Sequence, residues 1–381
     1  MRLLKYIYSA FLTASMLTLF ANIEQGYVVF NQGNEFYVKT EVSGEITFSS
    51  TDAASSIQWA LDNVSGSGIN AGEVFIEPGK YYLYHGIIVG SNLWLHGSGP
   101  ETELVISGQI MEGIAIQDAS MSKISDLTLV NIENELNSTG ILLERSISCK
   151  VINTSISGFK TGIRNAGESA MTLIDGNRII NNDRGINIQN GGGVIARWLP
   201  IVVANNEVDG SDVGISCGAL CVNIVDNKVI NSSRRAIQAT HNSILINGNY
   251  IDKVGGDFAI FGDGAEFNCT NNVIKNSKGG GIRTRKRWGT VSNNQIINSG
   301  TKENPAIGIL VVSDDSNEGP AESKVIFNNT IYNDNGIPLQ YGIKEDGFTN
   351  IIAENKVGKV SEDIVSSIGK GTISHNNSST K

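Results

Sequence analysis

A repeat of about 22 residues dominates the sequence, and this period limits the folds that the chain can adopt. Each repeat carries an isoleucine that follows glycine or alanine. These are Ile141, Ile163, Ile186, Ile215, Ile237, Ile260, Ile282, Ile309 and Ile343. In register with them runs Asn-x-(Val/Ile), at Asn177, Asn206, Asn227, Asn249, Asn272, Asn294, Asn329 and Asn355. A regular period of this length is typical of a solenoid.

The pattern inside each repeat indicates the type of solenoid. It reads as two or three short strands with alternating apolar positions, and it has no helical period. Such a unit cannot bury its apolar face alone, whereas stacked coils bury a continuous column. Leucine-rich repeats would need a helix, and propeller blades need about 40 residues. The sequence therefore predicts an all-β fold, a single-stranded right-handed parallel β-helix.

The repeated asparagines have a structural explanation. Asparagine tolerates the left-handed conformation at corners between strands. Stacked side-chain amides can also form a hydrogen-bonded ladder from coil to coil. Either role is structural, so we assign the asparagines no chemistry.

The sequence also predicts the limits of the array. Residues 51–62 place Ile57, Ala60 and Leu61 at helical spacing, which predicts an amphipathic capping helix. The coils then begin with EVFIEPGKYYLY at residues 73–84. We expect a β-helix domain over residues 48–368, an N-terminal lead-in over 22–47 and a polar C-terminal tail over 369–381.

Residues 1–21 have the pattern of a secretory signal peptide. Arg2 and Lys5 precede an apolar run of roughly 15 residues. This predicts a secreted, periplasmic or cell-surface protein; the large Leu19 near the expected cleavage site leaves an uncleaved anchor as the alternative. No later apolar run approaches the ~18 residues of a spanning helix, so no membrane span is expected after signal removal.

The net charge limits the classes of partner, and the cysteine content limits the kinds of covalent or metal cross-link. The formal net charge is −9, which argues against nucleic acid because phosphate neutralisation needs a basic face. The four cysteines are too few for a disulfide scaffold and lack the spacing of a zinc site. We expect them to be mainly buried, with one bridge between neighbouring coils as the alternative.

Monomers and side-by-side assemblies are both compatible with a β-helix.

Three successive segments resemble the opening of the pectin-lyase-like right-handed β-helix superfamily. An Asp-led helix ending in Ala-Leu is followed by EVFIEPGKYYL at residues 73–83 and by NLWLHGSG at residues 92–99. The later coils resemble the carbohydrate-binding and sugar-hydrolase repeat subgroup, and the resemblance covers about residues 48–360. It implies the fold. It leaves the activity open, because the superfamily includes polysaccharide lyases, hydrolases, uronan epimerases and phage or adhesin fibres.

Strand alternation predicts which side chains share the outer wall. If each repeat isoleucine points inward, the residues one and three positions later point outward. Neighbouring coils then bring cations, a carboxylate and aromatic rings together, with further residues at the adjoining turns. The predicted patch consists of Gln238, His241, Phe261, Asp263, Arg283, Arg285, Lys286, Arg287 and Trp288.

These groups suit an acidic polysaccharide. Aromatic rings stack on pyranose faces, and an arginine fork binds a uronate carboxylate. β-Elimination or C5-epimerisation removes the proton next to that carboxylate, so it needs a neutralising cation and a base. Arg283 or Arg285 would be the cation. His241 would be the base, with Lys286 as the alternative. The leading prediction is a polysaccharide lyase or C5-epimerase, with Asp263 orienting the histidine or an arginine.

The acidic residues also permit other chemistry. Asp257 and Asp263 could bind calcium, which takes oxygen ligands, although the predicted reaction requires no cofactor. A glycoside hydrolase would instead pair Asp263 with Asp257 or Glu266. Arg197 and Trp198, in an insertion, would overhang the patch as a lid and contact substrate, or form a simple loop.

The patch also has non-catalytic interpretations. RTRKR at residues 283–287 could be a solvated edge that discourages pairing with other sheets, and His241 could be a turn residue. The paired-aspartate and G-H-G signature of polygalacturonases, the R-x-P-x-x-R segment of pectate lyases and the D-P-H-(D/E) element of alginate epimerases are all missing from the sequence. A polysaccharide-binding, fibre or export-assembly protein is therefore a third hypothesis.

Overall fold

The repeats form a parallel β-solenoid of about 12 turns, which confirms the predicted fold class. The computed structural model describes residues 26–64, 72–133, 138–189, 199–313, 321–367 and 370–379. A typical coil contributes one short strand to each of three sheets, called sheets A, B and C, and neighbouring coils pair in parallel. Strands are numbered in chain order and are counted over these described residues.

Sheet A has 16 strands. They are β1 (Gly26–Gln32), β2 (Glu35–Thr40), β3 (Ile46–Ser50), β4 (Gly72–Ile76), β7 (Leu93–His96), β10 (Lys123–Ser125), β13 (Lys150–Ile152), β16 (Leu173–Asp175), β19 (Ile201–Ala204), β22 (Val222–Val225), β25 (Leu245–Asn247), β28 (Phe267–Thr270), β31 (Gly289–Ser292), β34 (Val325–Phe327), β37 (Ile351–Ala353) and β40 (Ile373–His375).

Sheet B has 13 strands. They are β5 (Gly79–Leu83), β8 (Thr102–Ile106), β11 (Thr128–Asn131), β14 (Ser155–Ser157), β17 (Arg178–Ile180), β20 (Glu207–Asp209), β23 (Lys228–Ile230), β26 (Tyr250–Val254), β29 (Val273–Ser277), β32 (Gln295–Ile297), β35 (Thr330–Tyr332), β38 (Lys356–Val357) and β41 (Ser378–Ser379).

Sheet C has 12 strands. They are β6 (Ile87–Ile88), β9 (Glu112–Gln117), β12 (Thr139–Glu144), β15 (Thr161–Ala166), β18 (Arg184–Gln189), β21 (Val213–Gly218), β24 (Arg235–Ala239), β27 (Ile260–Gly262), β30 (Gly280–Thr284), β33 (Ile307–Val311), β36 (Tyr341–Glu345) and β39 (Val365–Ser367).

The N-terminal end is covered by helix α1 (Ala53–Asn63) and an antiparallel meander. Asp52 caps the helix by accepting a hydrogen bond from the Ser55 backbone N–H at 3.0 Å. Strands β1 to β3 extend sheet A, and β1 pairs in parallel with β4. The structure therefore has regular strands from Gly26 onward, within the segment expected to be a lead-in.

The repeat isoleucines lie in sheet C and point inward, as predicted. All nine are fully buried, and they pair with one another across successive strands. The small residue before each isoleucine also faces the core: a Cβ on Gly162 would lie 2.7 Å from the buried Ile179 side chain. Because two consecutive residues point inward, the residue two positions before each isoleucine faces outward.

The asparagine motif forms the predicted amide ladder. The Asn249 side-chain oxygen accepts hydrogen bonds from the backbone N–H and the side-chain NH₂ of Asn227, at 2.9 and 3.0 Å. Asn249 donates in the same way to Asn272, at 2.9 Å for both bonds. The left-handed conformation belongs to the preceding residue, as at Gly248 and Asn271. Of the two roles considered for these asparagines, the ladder is the one they perform.

The remaining sequence predictions concern the C-terminal tail, the cysteines, the signal peptide and membrane-spanning helices. Strands β40 and β41 extend sheets A and B into the segment expected to be a polar tail. All four cysteines are free thiols, and Cys149, Cys217 and Cys269 are buried. The predicted signal peptide lies outside the described residues. Within the described ranges, no helix has the length and apolarity required to cross a membrane.

Candidate functional site

The outer face of sheet C carries three columns of side chains. They stand two positions before, one position after and three positions after each repeat isoleucine. The last two columns were predicted from strand alternation. The first was missed, and it contributes Arg235, two residues before Ile237. The signal was present in the sequence, since a small residue precedes each isoleucine and packs inside, as Ala236 does.

Phe261 is the centre of a cluster of arginines on this face. The guanidinium carbon of Arg235, from the preceding coil, lies 3.6 Å from the Phe261 ring centroid. That of Arg283, from the following coil, lies 4.2 Å from it. Both distances are those of cation–π contacts. We call the surface formed by Arg235, Gln238, Phe261, Asp263, Arg283 and Arg285, with Asp257 at its side, the arginine face.

Two aspartates hold the arginines in place. Asp263 accepts a hydrogen bond from Arg283 at 2.7 Å, and its other oxygen lies 3.6 Å from Arg285. Asp257 binds Arg235 through both oxygens, at 2.9 and 2.7 Å. Arg235 also donates to the Gln238 side-chain oxygen at 3.1 Å. The arginine side chains are only 15–17% exposed, so their positions are largely fixed before any ligand arrives.

The arginine face is positively charged on a protein whose formal net charge is −9. Its three guanidinium groups face two carboxylates, which leaves one positive charge in excess. Partial burial would raise the pKa of Asp257, but hydrogen bonds from Arg235 and from the Phe258 backbone outweigh that effect and lower it. Asp257 is therefore ionised at neutral pH.

The other predicted residues are arranged more loosely. His241 is exposed at the turn after β24, and its imidazole makes no hydrogen bond or ion pair with any described residue. Arg287 pairs with Glu322 at 3.0 Å and so links neighbouring coils. Lys286 and Trp288 adopt left-handed backbone conformations at the same turn, and the Trp288 side chain is half exposed. Arg197 and Trp198 lie outside the described residues.

The carboxylates suit arginine better than a metal. Arg235 occupies both oxygens of Asp257, and Arg283 binds Asp263, so the pair as arranged does not fit calcium. Within the described ranges, no group of three or more His, Cys, Asp or Glu side chains could hold a metal ion. Glu266, the other carboxylate considered for a hydrolase, accepts a hydrogen bond from the Ser243 hydroxyl.

Known proteins resemble this chain mainly in fold. Residues 121–268 match the family model described as periplasmic copper-binding protein (NosD). A comparison with curated proteins gave no match. Among solved structures, the catalytic unit of the GH87 α-1,3-glucanase of Streptomyces thermodiastaticus superimposes with a TM-score of 0.62 at 11% identity, over 87% of this chain and 66% of the enzyme.

Two further structures superimpose at similar coverage of this chain. The Dettilon tailspike protein gives a TM-score of 0.58 at 15% identity, over 83% of this chain and 65% of the tailspike. The A-module of the mannuronan C-5 epimerase AlgE4 of Azotobacter vinelandii gives 0.52 at 17% identity, over 87% of this chain and 96% of the module. The chain has the pectin-lyase-like β-helix fold. The predicted resemblance is thereby confirmed, and at these identities it is a likeness of fold alone.

Proposed function

We propose that this pectin-lyase-like protein binds an acidic, uronic-acid-containing polysaccharide (a uronan) on the arginine face and acts on it as a lyase or C5-epimerase outside the cytoplasm. The observation that carries the proposal is the preorganised cluster of Arg235, Arg283 and Arg285 around Phe261. Arginine forks match carboxylates in geometry and charge. The charge pattern of residues 1–21 supports export.

The chemistry assigns separate roles to the cations and the base. A uronate carboxylate bound by Arg283 and Arg285 would be neutralised, which stabilises the enolate-like dianion formed when the C5 proton leaves. His241, exposed at the adjoining turn, is the base that this proposal requires. Asp263 positions both arginines and takes no proton in this scheme.

A glycoside hydrolase is less well supported. Its general acid must be protonated near neutral pH, which requires a raised pKa. The pKa of Asp257 is lowered instead, and Asp263 is ion-paired with Arg283. A non-catalytic binding protein is the second candidate, because no described residue holds the His241 imidazole in place.

Replacing Arg283 and Arg285 together with alanine tests the proposal. We expect the double variant to lose uronan binding and turnover, because the carboxylate would no longer be neutralised. Incubation with alginate, pectate and glucuronan in D₂O would reveal both reactions, since deuterium enters C5 on epimerisation and an ultraviolet-absorbing unsaturated product forms on elimination. Arg178→Ala, which removes an exposed arginine from sheet B, is the matched control.

His241→Ala separates the two candidates. Loss of turnover with retained binding would support catalysis by His241, and binding without product in the unaltered protein would support the non-catalytic candidate. If the protein bound none of the three uronans, or if the double variant behaved like Arg178→Ala, the proposal would be wrong.

A further inference from the structure

A cavity opens on the outer face of sheet C, at the N-terminal end of that sheet. It lies beside strands β6 and β9 and has a volume of about 350 Å³. Ile88 and Ala115, which pair across these strands, form part of its lining. This size falls within the range of small-molecule sites. We call this cavity the N-terminal pocket.

The lining of the N-terminal pocket combines exposed apolar surface with hydrogen-bonding groups. Tyr84, Met111 and Ile88 are 65%, 63% and 54% exposed, although large apolar side chains are usually buried. Gln109, Glu112 and Gln117 supply amide and carboxylate groups. Gln109 and Glu112 form no side-chain hydrogen bond with any residue that the structure describes, so both remain available to a ligand.

The charge of this pocket is opposite to that of the arginine face. Of the described residues that line it, none is lysine or arginine, and Glu112 contributes a carboxylate. His85, which also lines the pocket, is bound to the helix-capping Asp52 at 2.9 Å. A uronate entering here would meet a like charge without a neutralising cation, whereas a neutral sugar would not.

We propose that the N-terminal pocket binds a neutral pyranose. An aromatic ring beside amide and carboxylate groups is the combination that recognises the apolar face and the hydroxyl groups of an uncharged sugar. The Tyr84 ring supplies the stacking surface, and Gln109 and Glu112 bind the hydroxyls. This inference goes beyond the proposed function, because it concerns a separate site and does not require the arginine face to be catalytic.

The N-terminal pocket and the arginine face lie on the same outer face of sheet C, but they are too far apart for a single sugar to contact both. Five strand-to-strand steps separate β9 from β24. At about 4.8 Å per step, the separation is about 24 Å. One monosaccharide therefore cannot contact both sites, so loss of binding in a variant of the N-terminal pocket is assigned to that pocket.

Saturation-transfer NMR on the full chain, with methyl galactoside and methyl glucoside as probes, tests the proposal. The methyl glycosides of the corresponding uronic acids differ from these sugars only at C6 and serve as charged counterparts. We expect saturation transfer to at least one neutral glycoside. In Tyr84→Ala, the affinity for that glycoside should be weaker by about tenfold or more, because the stacking surface is lost. Tyr82→Ala removes an exposed tyrosine from sheet B and should leave binding unchanged.

Glu112→Gln provides a second test that does not depend on stacking. Without the carboxylate, the uronic acids should begin to compete with the neutral glycoside for the pocket, whereas they should not compete in the unaltered protein. The proposal is overturned if neither neutral glycoside binds, if Tyr84→Ala binds as well as Tyr82→Ala, or if uronic acids already displace the neutral glycoside from the unaltered protein. Uronan binding in Tyr84→Ala should persist, so failure here leaves the arginine face unaffected.

Discussion

At the scale of single residues, Lys324 is a basic side chain buried in the core. It lies directly before β34, is 1% exposed, and donates from Nζ to the Trp288 backbone oxygen at 2.9 Å. Burial lowers the pKa of Lys324 to about 8, because the ammonium form is poorly solvated there. Below this pH the folded protein must carry a buried charge.

The pH dependence of stability follows from this lowered pKa. Between about pH 8 and 10.5 the unfolded chain keeps the Lys324 proton while the folded protein releases it, so stability rises with pH in that window. Lys324→Met should increase the unfolding free energy at pH 7 by about 2 kcal/mol, after allowing for the lost hydrogen bond. The unfolding free energy of this variant should also lack the increase at alkaline pH that Lys324 causes in the unaltered protein.

Urea denaturation at pH 7 and pH 9.5 would check this expectation, with Lys356→Met as the control because Lys356 is exposed on β38. An equal pH response of Lys324→Met and the unaltered protein would contradict it.

At the scale of elements, the asparagine ladder ties each coil to the next. Asn249 accepts two hydrogen bonds from Asn227 and donates two to Asn272 in the buried turn between sheets A and B. In Asn249→Ala, the Asn227 backbone N–H loses its acceptor inside the protein, and the Asn227 side-chain NH₂ keeps only the backbone oxygens of Val203 and Val225. We expect the unfolding free energy to fall by about 2–4 kcal/mol.

The control for the ladder is Asn223→Ala, on the outer face of sheet A, which should change stability by about 0.5 kcal/mol or less. Circular dichroism during urea titration would measure both variants. Equal stability of the two would mean that the ladder contributes packing alone.

The elements also explain what the sequence could and could not predict. Strand alternation is local, so the inward isoleucines and the outward Phe261 and Asp263 followed directly from it. Arg235 did not, because the extra inward residue Ala236 interrupts the alternation. The direction of His241 at its turn is not set by alternation at all. Strands β1 to β3 were missed because they pair antiparallel with one another and their sequences lie outside the repeat.

At the scale of the whole molecule, the outer face of sheet C carries charges of opposite sign at two separate positions. An acidic protein carries a positive arginine face near the middle of sheet C and an acidic pocket at one end. Uronan affinity should fall about tenfold or more between 50 and 500 mM NaCl, because salt screens the arginine–carboxylate attraction. Binding of the neutral glycoside should change little.

Isothermal titration calorimetry across this salt range would measure both affinities in one protein. A uronan affinity that did not respond to salt would contradict recognition by charge.

Because the rise between coils is constant, a distance along sheet C is set by the number of coils that it spans. Each coil of sheet C adds one strand-to-strand step between the N-terminal pocket and Phe261, and no side chain adjusts that distance. The minimum length of a glycan that reaches both is therefore counted in whole coils, so inserting or deleting one coil between the two sites would change that length by one fixed step.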